Sequence, residues 1–351
     1  MSLAFFTDPH LGVQRSAHTT TASRQRLQDA VFQQALNVLR RTGGVYYNEE
    51  AIRVCLGDLF DQETNPEHVI LQGLQIAGGC HYVMAGNHDL PNRHGKASSY
   101  DVLSSAAGSA SCPIHLSWTD QSTCAYTPHG TLFLVPHKAS QELFDEALNN
   151  VYLQAPATAS PRILCLHCNY DSPFVQNDAS LNITAAQVEH LLTVFDYVLL
   201  GHEHQPRKLH DGRLIILGNT HPTSFSDISD KFYYIWDGER FTENLIWSKA
   251  DGYREIQWDA PDQTLPDSVQ FVNVVGNAPA DQQASIAAKV VRLWKAHPNL
   301  LMVRSHVVVD DPLGAAPTEV TRTLNLPDRV SAALEGTDLQ PLWHDYLGRL
   351  A

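Results

Sequence analysis

Five short polar motifs interrupt this chain, and each begins where an apolar run ends. They are Asp8-Pro9-His10, Gly57-Asp58-Leu59-Phe60-Asp61, Gly86-Asn87-His88-Asp89, the single His167, and Gly201-His202-Glu203-His204. The runs that precede or contain them, Leu3–Thr7, Ala51–Leu56, His81–Ala85, Ile163–His167 and Tyr197–Leu200, have strand length and strand composition. Segments with helical periodicity alternate with the first of them. Ser23–Arg41 places Leu27, Val31, Ala35, Val38 and Leu39 on one face, and Pro66–Ala77 opens with a proline in its first turn. A βαβαβ order predicts a sheet with helices packed on it. In such folds ligands gather where strands give way to loops.

A more β-rich stretch follows the long Gly/Ser/Ala-rich loop over 90–112. Leu132–Pro136, Leu214–Leu217, Phe232–Trp236 and Asn244–Trp247 read as further strands, with helices near 140–150 and 184–193. Asp211-Gly212 and Asp237-Gly238 fit hairpin turns. A proline- and acid-rich boundary at 259–268 precedes a strand–helix–strand unit: Val269–Val275, then 281–296 with Ile286, Val290, Val291 and Trp294 inward, then Leu301–Val309. The chain thus divides into domains over 1–258 and 268–317 and a helical piece over 318–351.

The donor types in the five motifs define a metal class. Carboxylates, imidazoles and one Asn carbonyl, without a thiolate, favour Mn²⁺, Fe²⁺ or Zn²⁺ at a reactive site over a structural zinc. The candidate ligands are Asp8, His10, Asp58, Asn87, His167, His202 and His204. They are too many for one ion, and a shared carboxylate can bridge two ions ~3.5–4 Å apart. Cys165-Leu166-His167-Cys168 has zinc-like spacing but no second pair like it, so the cysteines read as reduced thiols. Singly, each motif has an ordinary explanation as a turn or a core histidine. All five in this order, each on a strand exit, point to one site. His81, His115, His129 and His137 lack ligand spacing and read as core or solvent-facing residues, and Trp236, Trp247 and Trp258 as core.

Together the motifs resemble the calcineurin-like metallophosphoesterase superfamily over roughly residues 3–235. Asp8-Pro9-His10-Leu11-Gly12, Gly57-Asp58-Leu59-Phe60 and the hairpin from Gly201-His202-Glu203-His204 to Leu217-Gly218-Asn219 resemble its DNA-repair nuclease branch, the SbcD-type subunits. Ala97-Ser98-Ser99-Tyr100 resembles bacteriophage versions. The resemblance implies a four-layer αββα sandwich with a small α/β C-terminal cap, the cap having a DNA-binding role. It implies that Asp8, His10 and His204 bind one divalent ion, that Asn87, His167 and His202 bind another, and that Asp58 bridges. Mn²⁺ is the first choice, with Fe²⁺, Zn²⁺ or Mg²⁺ as alternatives. His88 then faces the scissile phosphate and donates a proton to the leaving oxygen, and Asp89 holds its ring. Some cellular relatives carry a histidine, linked to exonuclease action, where this chain has Asp61. The implied partners are DNA, an SbcC-type SMC-like ATPase and a second copy of the chain.

Charge argues the other way. The net charge is −14, no segment forms a basic arm, and binding DNA by charge alone needs one. Arg93 and Lys96, beside His94 on the loop after Asp89, and Arg207 and Lys208, after His204, suit DNA phosphates and equally suit solvated surface. The competing functions are therefore a DNA nuclease, a phosphoesterase of small substrates such as cyclic nucleotides or phosphoproteins, and a scaffold without metals. No motif is broken as the scaffold reading requires. No apolar run approaches the ~18 residues of a membrane span. The first residues lack the basic start of a signal peptide, which places the chain in the cytoplasm of a bacterial cell or phage-infected host. Leu339, Leu342, Trp343, Tyr346, Leu347 and Leu350 form a helical stripe, suited to packing on the cap or docking the ATPase.

Overall fold

Four consecutive apolar residues, Leu3–Phe6, form β1, and all four are buried. A strand without alternation needs cover on both faces. The computed structural model, which describes residues 2–43, 51–91, 96–107, 117–119, 121–172 and 180–310, shows what supplies it. After β1 come α1 (Thr21–Thr42), β2 (Ile52–Cys55), α2 (Glu67–Gly78), β3 (Tyr82–Met84), α3 (Ser99–Ala107) and β4 (Ser117–Thr119). Then follow β5 (Thr123–Thr127), β6 (Gly130–Val135), α4 (Gln141–Gln154), β7 (Arg162–His167), β8 (Asn169–Tyr170), β9 (Asn182–Ile183), α5 (Ala185–Leu191) and β10 (Tyr197–Gly201). The remainder is β11 (Arg207–Leu209), β12 (Leu214–Ile216), β13 (Lys231–Trp236), β14 (Phe241–Trp247), α6 (Lys249–Gly252), β15 (Tyr253–Gln257), β16 (Phe271–Pro279), α7 (Gln283–Ala296) and β17 (Met302–Asp310).

Two six-stranded sheets carry the molecule. Their orders are β14-β13-β1-β2-β3-β4 and β11-β12-β10-β7-β6-β5. The inner strands of each run parallel; antiparallel β13 and β14 complete one edge of the first sheet, and antiparallel β11 and β5 complete both edges of the second. Side chains alternate between the two faces of a strand, so each sheet divides its residues between two cores. Leu3, Phe5, Val54, Leu56 and Met84 of the first sheet meet Leu132, Leu134, Ile163, Cys165 and Leu199 of the second. Phe6, Cys55 and Val83 face the other way, onto Leu27, Val31 and Ala35 of α1 and Val69 and Ile76 of α2. Phe133, Leu164, Leu166 and Leu200 likewise face Phe144 and Leu148 of α4 and Val188 of α5. The result is an αββα sandwich. Helix α1 is started by a reciprocal cap between Thr20 and Ser23, which satisfies amides the first turn leaves unpaired. Pro66 is the cap of α2 rather than its first helical residue.

A third sheet, β15-β16-β17, packs Ile256, Val272, Val274 and Val303 against Leu293 of α7. The inward face of α7 differs from the expected one: Val291 is 49% exposed, while Lys289 is 1% exposed. The Lys289 ammonium reaches the Ala260 carbonyl at 2.6 Å and the Asp262 carboxylate at 2.9 Å, which lets its stem occupy a core position. The chain forms two compact units. Among the described residues, one takes in those up to Gly276 together with Ser285–Val307, and the other Asn277–Ala284 and Val308–Asp310. The helical piece over 318–351 lies outside the described residues, as do Cys112 and His115. Cys55, Cys80, Cys165 and Cys168 are buried free thiols, and burial pushes Cys80 up to about 12. No helix among the described residues is long and apolar enough to cross a membrane.

Phe5 is wholly buried between the two sheets. Phe5→Ala is expected to cost about 3–5 kcal/mol of stability, read as a lowered urea midpoint at unchanged slope.

Candidate metal centre

The loops after β1 and β2 run side by side and are stitched by main-chain hydrogen bonds. The Asp8 amide donates to the Gly57 carbonyl at 3.0 Å, His10 to Asp58 at 3.1 Å, Leu11 to Leu59 at 2.9 Å and Asp61 back to Leu11 at 3.0 Å. This pairing brings the first two motifs together. The chain bends sharply to do so: Asp8, His10, Asp58 and His202 have φ of 52°, 47°, 48° and 86°. Two glycines leave room for the donors. A Cβ on Gly57, itself at φ 110°, would stand 2.3 Å from His167 Nδ1, and one on Gly86 would stand 2.0 Å from Asp58 Oδ1.

The seven candidate ligands converge as two groups. Asp8, His10 and His204 offer donor atoms within 4.8 Å of one another, and so do Asp58, His167 and His202. The Asn87 carbonyl oxygen lies 2.9 Å from His202 Nδ1 and 3.2 Å from His167 Nε2, which adds it to the second group. Asp58 faces both: its Oδ2 is 3.8 Å from His10 Nε2 and its Oδ1 is 3.4 Å from His167 Nε2.

The chemistry of the donors fits two divalent cations. Asp8 Oδ1 is buried with no hydrogen-bond partner. His10 Nε2 and His204 Nε2 face each other at 2.9 Å. The opposite ring nitrogens point the same way: His167 Nδ1 donates to the Leu56 carbonyl at 2.7 Å and His204 Nδ1 to Asp227 Oδ2 at 3.2 Å. Those partners accept only, so each of these two rings, when neutral, carries its lone pair on Nε2, facing the site. Charges couple strongly here. Burial pushes the Asp58 carboxyl up, but the imidazoles of His167, His10 and His88 outweigh it and hold it well below the usual range. Burial pushes His167 down, but Asp58 and Asp8 raise it to about 9. His202, buried next to His167, falls to about 4.

His88 stands beside this pair of groups. Its ring meets that of His10 edge-on at 5.1 Å, and its amide donates to Asp58 Oδ1 at 3.0 Å. The ring is held by the Asp61 carbonyl, 2.7 Å from Nδ1, and not by Asp89 as expected. The Asp89 carboxylate is turned inward, where it accepts from the amides of Gly86, Phe60 and Leu59 at 2.9, 3.0 and 3.1 Å. It ties the second and third motifs together, and burial and the Asp58 charge raise it to about 7 against those bonds. Asp61 has a second duty. Its carboxylate lies 3.4 Å from His10 Nδ1 and accepts from both terminal guanidinium nitrogens of Arg15 at 3.1 Å.

The expected DNA contacts do not join the site as free charges. Arg207 pairs with Glu203, and Lys208 with Glu243 at 3.1 Å. Lys96 is exposed, and Arg93 and His94 lie outside the described residues. Other residues enter the site unannounced. Asp227 backs His204, and buried Lys231 donates to the His204 carbonyl at 2.8 Å. His137 follows β6 as the ligands follow their strands, and that position was the signal available for it. It is buried, its amide donates to the Ala85 carbonyl at 3.0 Å, and its ring lies 6.4 Å from that of His167. Burial beside His167 takes it down to about 3.

A family model described as calcineurin-like phosphoesterase matches residues 1–206. The chain belongs to that family. The calcineurin-like phosphoesterase match covers β1 through β10 and therefore all five motifs. Among solved structures, similarity is found to a putative 5'-nucleotidase from Staphylococcus aureus in complex with alpha-ketoglutarate, at 11% identity and a TM-score of 0.39. The match covers 70% of this chain and 53% of that one, so this chain spans about half the length of that protein. A predicted phosphoesterase from Streptococcus pneumoniae matches at 13% identity over 71% of this chain and 90% of its own, with a TM-score of 0.30. A metallophosphoesterase from Sphaerobacter thermophilus matches at 15% identity over 70% and 88%, with a TM-score of 0.28. No curated protein matches the chain. The family assignment rests on the sequence match, and it points to metal-dependent phosphoester hydrolysis.

Because Asp58 faces both ligand groups, Asp58→Ala is expected to remove both ions, counted by metal analysis of the purified protein. Retention of two ions would refute a shared carboxylate. Gly86→Ala, which drives a Cβ into Asp58, is expected to lower metal content in the same assay.

Proposed function

We propose that the chain is a Mn²⁺-dependent phosphodiesterase that cleaves DNA, acting as the nuclease subunit of a complex with an SMC-like ATPase. The observation that carries the diester reading is the His88 ring, fixed beside the ligand groups through the Asp61 carbonyl at 2.7 Å. A carbonyl only accepts, so His88 Nδ1 carries hydrogen and the transferable proton of the imidazolium sits on Nε2. In this reading His88 gives that proton to the leaving 3′ oxygen. Asp8, His10 and His204 hold one ion, Asn87, His167 and His202 hold the other, and Asp58 joins them. Bound there, two divalent ions supply Lewis acidity toward the phosphate oxygens and an activated water. Arg15 is bonded into the same cluster, but Asp61 engages both of its terminal guanidinium nitrogens. A diester, with one charge fewer than a monoester, suits a site whose arginine is already paired.

The nuclease branch is supported by the resemblance of Asp8-Pro9-His10-Leu11-Gly12 and its companion motifs. The same resemblance supports action as a homodimer in the cytoplasm of a bacterial or phage-infected cell. One observation favours a second reading, a phosphoesterase of small substrates: the net charge of −14, with Arg207 and Lys208 already paired to acids. Purified protein with Mn²⁺ separates the two when offered linear duplex DNA, bis-p-nitrophenyl phosphate and a phosphomonoester. The nuclease reading expects cleavage of the first two. Turnover of the monoester alone would overturn it.

His88→Ala is expected to keep both ions and lose turnover by roughly 10²–10⁴-fold. The loss should shrink on a diester whose leaving group is a weak base, and equal losses on good and poor leaving groups would exclude proton donation. The isolated chain is expected to bind DNA weakly, with a shallow dependence on salt. Tight binding by the metal-free chain at physiological salt would contradict this.

A further inference from the structure

The two ligand groups are backed differently on the side away from the ions. In the second group, His167 Nδ1 meets a neutral main-chain carbonyl, that of Leu56, at 2.7 Å. His202 turns its Nδ1 toward Asn87 itself. In the first group, His204 Nδ1 meets a carboxylate, Asp227 Oδ2, at 3.2 Å. Asp227 lies 23 residues beyond its partner and is 3% exposed.

The loop around Asp227 is built to hold that carboxylate in place. Oδ2 also accepts from Asn219 Nδ2 at 2.8 Å, from the Thr223 amide at 3.0 Å and from the Thr223 hydroxyl at 3.2 Å. Oδ1 accepts from the Ser224 amide at 2.8 Å and its hydroxyl at 3.0 Å. With these donors the buried group needs no water, and its orientation does not depend on His204. The loop is in turn seated from behind. Phe225 packs on Phe271 at 6.2 Å, Arg304 stacks over Phe225 at 4.5 Å, and His221 Nε2 meets Gln270 Oε1 at 3.2 Å.

We infer that Asp227 is a positioning residue for the ion held by Asp8, His10 and His204. It fixes the His204 ring with Nε2 toward the site and makes that nitrogen a stronger donor. Carboxylates behind a metal-bound histidine act in this way, and their loss costs about 10–100-fold in metal affinity or activity. Among the described residues no carboxylate stands behind His167 or His202 in this way, so the two positions depend on Asp227 unequally. The inference rests on the reading of His204 as a ligand and is independent of the substrate.

The test is Mn²⁺ titration of the full-length metal-free protein by calorimetry, with thermal unfolding of the same samples. Asp227→Asn is expected to weaken one of the two binding steps by about 10–100-fold. The step that survives should be the one that His202→Ala removes. Asp227→Asn also disturbs the loop, so Ser224→Ala serves as the second variant: it removes the hydroxyl donor to Oδ1 and leaves the Ser224 amide bond and the His204 contact in place. Ser224→Ala is expected to keep both steps. Unchanged binding in Asp227→Asn would overturn the inference. Equal weakening of both steps, or the same weakening in Ser224→Ala, would make the residue a loop brace and overturn it as well. A wild-type chain that binds no Mn²⁺ would overturn the ligand reading beneath it, an outcome Asp227→Asn alone cannot produce.

Discussion

Asp8 and Asp58 are each 1% exposed, and a buried carboxylate persists only where charge or hydrogen bonds replace the water it has lost. Much of the surrounding structure supplies that replacement. The His202 amide and the Thr7 hydroxyl donate to Asp8 Oδ2, and the His88 amide donates to Asp58 Oδ1. The imidazoles of His10 and His167 approach from opposite sides. No local segment could arrange this. It takes parallel strands from two sheets ending at one level, with loops short enough to place a donor within a few residues of each strand end.

That requirement explains why so much was legible in the sequence. A parallel strand buried on both faces is a short apolar run, and a ligand at its end is a polar residue at the close of that run. Leu3–Phe6 before Asp8 and Tyr197–Gly201 before His202 are of this kind. Edge strands were harder to read. Thr123–Thr127 and Tyr253–Gln257 mix polar and apolar residues because part of each faces solvent, and neither was anticipated.

The site was legible where chemistry and strand exits coincide, and obscure where a residue acts from a distance. Asp89 beside His88 invited a pairing that the turn forbids, since the chain there sends the carboxylate toward amides. The Asp61 carbonyl that takes its place is main chain, and every residue has one. Asp227 closes a single 3-10 turn, Phe225–Asp227, on a Thr/Ser-rich loop with no fixed spacing to His204. Lys289 and Val291 exchanged their expected places because a lysine with a carbonyl and a carboxylate at its tip can be buried, a pairing that depends on the fold and not on neighbours in sequence.

Four of the candidate ligands, Asp8, His10, Asp58 and His202, occupy left-handed backbone. Among residues other than glycine, this region is enriched several-fold in Asn, Asp and His. The main chain thus restricts the donor alphabet at these positions before any ion is considered. Glutamate and cysteine, which serve as ligands in other sites, gain no such favour from the backbone here. Asn87, His167 and His204 carry no comparable restriction. Changes of ligand that retune the metal while sparing the fold are therefore widest at those three positions, and at the other four the backbone favours exchange among Asp, Asn and His.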